Sequence, residues 1–120
     1  MKAKILFFIC FISANMLLGQ GISREYFKFI KKADSLYFAK DYKNSAAAFS
    51  SAFKINGWKG LTDDRYNAAC VWALAGYPDS AFFNLERIAI TMKYNEYEHL
   101  ITDSDLNSLH RDKRWEDVIN

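Results

Sequence analysis

Apolar positions recur along most of this chain at intervals of three and four, the spacing that gathers side chains on one face of an α-helix. Phe29, Ile30, Ala33, Leu36 and Tyr37 predict the inner face of a first helix that starts after Ser23, a fitting N-cap, and runs to about Lys40. Asp41 caps a second helix with the inner face Tyr42, Ser45, Phe49, Ala52 and Phe53, and Asn56 to Gly60 carries two glycines that break the pattern. A third helix starts near Thr62 or Asp63, carries Tyr66, Ala69, Trp72 and Ala73, and stops at Gly76, the usual left-handed cap residue. Pro78 opens a fourth, at the first-turn position where its missing N–H costs nothing. No stretch alternates with period two, so the expected fold class is all-α.

The start of the chain follows another pattern. Lys2 and Lys4 form a short basic opening, Ile5 to Leu18 is an almost unbroken apolar run, and Gly19 supplies a small residue before Gln20 and Gly21. This predicts a signal peptide over residues 1–19 and a mature chain that begins at or within two residues of Gln20. A retained membrane anchor is the rival, but such a run spans only about 21 Å as a helix against a hydrocarbon core of about 30 Å. Ser13 and Asn15 interrupt it as well, and Cys10 follows Phe7, Phe8 and Ile9, which is not the approach to a lipidated cysteine.

Removing this segment changes the charge. Of 16 basic residues, Lys2 and Lys4 are lost, which leaves 14 against 14 acidic ones. A formally neutral domain has no electrostatic footprint for nucleic acid, and Lys28, Lys31 and Lys32 read as a solvated face. Only Cys70 survives cleavage, so no internal disulfide is available, and its setting among Ala68, Ala69 and Ala73 predicts a small buried residue at a close helix contact.

Candidate chemistry is sparse. Asp103, Asp105 and Asn107 mimic the start of a calcium loop, but Ser108 stands where glycine is required and Arg114 where the bidentate glutamate belongs. His99 and His110 lie eleven apart with no cysteine near, which does not suit zinc. Neither a nucleophile with its base nor paired carboxylates at a cleft is evident, so no catalytic residue, metal or cofactor is expected.

The helices also repeat. Ala33, Leu36, Lys40, Tyr42, Ser45, Phe49, Ala52 and Phe53 align with Ala69, Trp72, Gly76, Pro78, Ala81, Leu85, Ile88 and Ala89 at a spacing of 36 residues. The set Ala33, Leu36, Asp41, Tyr42, Phe49 and Ala52, followed by Asn67, Ala69, Gly76, Asp79, Ala81 and Leu85, resembles the tetratricopeptide (TPR) repeat family. The departures are Lys40 for the turn glycine, Ser45 and Ile88 for small alanines, and Pro78 for the turn tyrosine. After the second repeat, Asp103, Asp105, Leu106, Asp112 and Trp115 resemble the closing segment of many bacterial members, with Ser104 and Lys113 where its prolines usually fall. There Asp103 or Asp105, and then Asp112, would cap two short helices whose Leu106, Leu109, Trp115, Val118 and Ile119 cover the open face of the last hairpin.

The resemblance implies two antiparallel hairpins, about 23–56 and 62–92, stacked as a short right-handed solenoid with a helical cap, about 95–120. Trp72 would join the hairpins in the core. Such a domain implies an exported scaffold in a periplasm or envelope that binds a peptide segment or partner helix. The alternative is a structural subunit or chaperone of an envelope assembly. Two repeats plus a cap fall short of the usual three, which adds self-association or a host complex to the expectations. In the family the first helix of each hairpin lines the groove, which here implies Phe27, Ile30, Asp34 and Tyr37 beside Tyr66, Asn67, Cys70 and Ala73. Members that grip a C-terminal carboxylate use Lys and Asn on the first of those helices and Asn on the next. Asn67 matches, while Ile30 and Asp34 do not, so the implied ligand is an apolar or aromatic segment anchored by Phe27, Ile30, Tyr37 and Tyr66. Against this stands burial of the same aromatics by the domain's own core or by dimerisation.

Overall fold

Three helices in this chain end in the same way, and the turns that result decide the architecture. The computed structural model describes residues 21–91 and 96–120, so the expected signal segment, its cleavage point and the junction at 92–95 lie outside the described residues. Helix α1, Arg24–Phe38, starts where the Ser23 hydroxyl accepts the Tyr26 N–H at 3.1 Å. It stops two residues before the expected Lys40, because Lys40 adopts φ 63°. There the Lys40 N–H bonds the Tyr37 carbonyl at 2.9 Å and the Asp41 N–H bonds Leu36 at 2.8 Å. This doubly bonded left-handed turn satisfies two orphan carbonyls and sends the chain back along α1.

The turn after helix α3, Thr62–Leu74, is the same motif 36 residues on. Gly76, at φ 88°, bonds Ala73 at 3.1 Å, and Tyr77 bonds Trp72 at 2.9 Å. Gly57 makes the third such turn after helix α2, Tyr42–Ile55, with Trp58 closing onto the Phe53 carbonyl at 2.6 Å. The sequence correspondence between Lys40 and Gly76 is therefore also a correspondence of backbone conformation.

Helix α2 is capped by Asp41, as expected, and packs along α1. Helix α4, Pro78–Glu86, packs along α3 and continues into a π-helical turn, Arg87–Thr91. Beyond residue 95 come α5, Tyr97–Thr102, a 3-10 turn, Ser104–Leu109, and α6, Arg114–Ile119. The closing segment thus holds three short elements where two were expected, and Leu100 on the extra one is buried with Leu106, Leu109, Trp115 and Val118. The Asp103 side chain caps the 3-10 turn as expected, accepting the Asp105 N–H at 3.0 Å, whereas the cap position of α6 is Lys113 and the Asp112 side chain, one residue earlier, accepts the Arg114 N–H at 2.9 Å. About 77% of the described residues are helical, and no strand occurs among them. None of the described helices is long and apolar enough to cross a membrane.

Two clusters form the core. One holds Tyr26 and Ala33 of α1, Ala46, Ala48, Phe49, Ala52 and Phe53 of α2, and Ala68 and Val71 of α3. The other joins Tyr66, Ala69, Cys70 and Ala73 of α3 to Phe82 and Leu85 of α4 and to the closing segment. Helix α3 serves both, and being apolar on several sides it is the central element. Trp72 packs against both clusters but is only half-buried, less enclosed than a core joint would be.

The alanine stripe matters because small residues let α1, α2 and α3 approach closely. Ser45 holds one of these places, fully buried, by donating its hydroxyl to the Ala33 carbonyl at 2.7 Å. The largest fully buried side chain of α1 is Tyr26, while Phe29 and Ile30 are half-buried. Its hydroxyl donates to Asp64 at 2.7 Å and accepts the Leu61 N–H at 3.0 Å, which ties the start of α1 to the start of α3.

Candidate functional site

Helices α1 and α3 lie on the walls of one groove of about 540 Å³, with Phe49 of α2 behind them and the closing segment across one side. Asp34, Tyr37, Tyr66, Asn67 and Cys70, all expected here, line it. Phe27 and Ile30 do not. Phe27 is exposed, edge-on against the Tyr26 ring at 5.3 Å, and Ile30 packs into the α1–α2 cluster, so neither lines the groove. Ala73 is likewise buried in the α3 cluster and does not line the groove.

The two tyrosines expected as ligand anchors are engaged by the chain's own closing segment. The Tyr66 hydroxyl donates to the Asp103 carboxylate at 2.6 Å, and the Tyr37 hydroxyl donates to Asp105 at 2.7 Å. Tyr66 is buried and Tyr37 half-buried. The hydrogen bond to Asp105, with some burial, pushes the Tyr37 hydroxyl up to about 12, so it remains a donor at any ordinary pH. Asp103, which caps the 3-10 turn, and Asp105 inside it therefore latch the closing segment to both walls.

Cys70 is buried beside this latch and donates weakly to Asp103 at 3.7 Å. Burial first, and the two aspartates next, push its thiol far above the ordinary range, so no thiolate is present to act as nucleophile. Its sulfur and the carboxylates of Asp103 and Asp105 lie within 4.8 Å of one another. Those oxygens already accept from the thiol, from two hydroxyls and from the Asp105 N–H, and this donor set is organised as a hydrogen-bonded latch rather than as an open coordination sphere. His99 lies over the Tyr66 ring at 4.8 Å and comes within 3.8 Å of Asp103 at the rim.

What stays open in the groove differs from the expected apolar floor. Phe38 is 79% exposed, with its ring edge-on to Tyr37 at 5.3 Å. Beside it stand the exposed Asp34 and Asn67, with Asp105 half-covered. Partial burial raises the Asp34 carboxyl somewhat above its ordinary value. Phe38, His99, Ser104 and the two aspartates were missed as groove residues. The D-x-D spacing of Asp103 and Asp105 is visible in the sequence, but nothing local tells that these carboxylates face Tyr66 and Tyr37, 37 and 68 residues away. Compared with known proteins, the chain matches no family model, no curated protein sequence and no solved structure.

Proposed function

We propose that this chain is an exported tetratricopeptide-like interaction module, two hairpins closed by a helical cap, that binds a peptide segment in the groove between α1 and α3. The observation that carries the reading is that the first helix of each hairpin contributes side chains to one groove while the second helices stand behind. The matching left-handed turns at Lys40 and Gly76, spaced as the sequence repeat is spaced, support the hairpin equivalence. The apolar run over Ile5 to Leu18, with Lys2 and Lys4 before it, supports export.

The lining changes the ligand from the apolar segment that the resemblance implied. An exposed phenyl ring next to carboxylates suits a peptide that sets an apolar side chain on Phe38 and a basic one against Asp34 and Asp105. A photo-crosslinking residue at the exposed groove position Asn67, compared with one at the exposed position Lys43 on α2, tests this in cells that export the protein. Adducts from position 67 alone, lost when Asp34→Lys reverses the groove charge, are the expected outcome. Equal adducts from both positions, or none from 67, contradict the reading.

A further inference from the structure

Helix α3 turns a second, chemically different face away from the groove. Arg65 and Trp72 are seven residues apart and share that face, while Tyr66, Asn67 and Cys70 point to the groove. Together with Phe53 of α2, Trp58 of the following turn, and Phe83 and Arg87 beyond them, Arg65 and Trp72 line a cavity of about 440 Å³.

Arg65 is the feature that needs an explanation. It is 4% exposed, and a guanidinium cannot shed its proton to escape the cost of burial. Among the described residues its hydrogen bonds go to neutral acceptors, the Asn84 side-chain carbonyl at 2.8 Å and the Trp58 backbone carbonyl at 2.7 Å. Its remaining neighbours are rings: Phe53 at 4.3 Å and Phe83 at 5.9 Å from the guanidinium carbon. Ring faces and amide oxygens offset part of the desolvation and leave the unit charge unneutralised.

A second guanidinium stands in the same wall. Arg87, itself exposed, lies 5.6 Å from the Phe83 ring, so both guanidinium groups stand within 6 Å of this ring. The one carboxylate in the lining, Asp79, is exposed and pairs with Arg114 at 2.8 Å, away from any hydrogen bond to Arg65. The cavity is therefore cationic at its base and aromatic at its mouth, where Trp58 is 57% and Phe83 is 54% exposed. Two bonds use only two of the five donors of the Arg65 fork, and paired arginine forks select planar oxyanions.

We propose that this cavity is a second binding site, which takes a carboxylate carried on a peptide, with an adjoining apolar side chain seated against Trp58, Trp72 and Phe83. The carboxylate supplies the missing countercharge to Arg65 and Arg87. The aromatic walls favour it over a bare inorganic anion. The site stands apart from the α1–α3 groove and does not depend on it.

Side-chain NMR on the full-length chain tests this, because the Arg Nε–H and Trp indole N–H signals report on the walls directly. The probes are N-acetyl-phenylalaninate, its neutral amide and phenyl phosphate, each raised to about 20 mM, a range that detects millimolar affinity. Saturable shifts at Arg65, Arg87, Trp58 and Trp72 with the carboxylate, absent with the amide, are expected. Arg87→Gln, at an exposed position, should weaken the carboxylate about fivefold with an otherwise unchanged spectrum. Asp34→Asn in the groove should leave the titration as it is. Equal response to carboxylate and amide, no response of the four signals, or insensitivity to Arg87→Gln would each overturn the proposal. Phenyl phosphate binding about tenfold more tightly than the carboxylate would overturn the ligand class.

Discussion

Lys40 carries a local backbone cost that, among the described non-glycine residues, Trp58 at φ 65° shares. Its φ of 63° is the left-handed conformation that a side chain disfavours by roughly 1 to 2 kcal/mol, at a place where Gly76 answers it in the second hairpin without that cost. Lys40→Gly should raise the stability of the protein by about 0.5 to 1 kcal/mol in urea titration, after the extra freedom of glycine in the unfolded chain is subtracted. Gly60 is the opposite case. A Cβ there would stand 2.5 Å from the Phe53 ring, which is itself fixed between the core and the Arg65 guanidinium. Gly60→Ala should therefore cost about 1 to 3 kcal/mol through overpacking, although Gly60 has ordinary backbone angles. The substitution at Lys40 was legible in the sequence as a departure from the repeat. The role of Gly60 was not, because a close approach between residues seven apart around a turn leaves no periodic trace.

At the scale of elements, helix starts and faces were largely legible, since Ser23, Asp41 and Pro78 act locally and the alanine stripe declares close packing. Helix α3 was legible as a helix, while its position between two clusters depends on contacts with Tyr26, Leu85 and Leu106 far away in the chain. The same holds for the closing segment, whose latch joins Asp103 to Tyr66 and Asp105 to Tyr37. Tyr66→Phe should cost about 1 to 2 kcal/mol and raise hydrogen exchange over residues 97–109 before that of α1 and α2, because a hydrogen bond to a carboxylate is lost where the ring is buried. The latch also has a pH signature. The Tyr37 hydroxyl is held at about 12 when folded, above the ordinary tyrosine value of about 10 in the unfolded chain, so the protonated form favours folding. This contribution is complete below about pH 10 and fades as the pH rises toward 12. Thermal melts across that window should fall less steeply for Tyr37→Phe than for the parent, with Tyr26, also raised by burial and its bond to Asp64, responsible for what remains.

At the scale of the whole molecule, α3 contributes to both core clusters, to the α1–α3 groove and to the cavity around Arg65. Trp72 is half-buried and touches both clusters, so Trp72→Ala should cost about 2 to 3 kcal/mol, less than for a fully enclosed tryptophan, and should lower both hairpins in one transition. The ligand proposed for the groove between α1, α3 and the latch is a peptide with neighbouring apolar and basic side chains. Hydrogen exchange of the chain alone and after incubation with the envelope fraction of its host measures this most directly. Added protection confined to residues 30–40, 62–71 and 97–109, and lost in Asp34→Lys, is the expected result. Protection centred on the outer face of α2, or no change at α1 and α3, would contradict it.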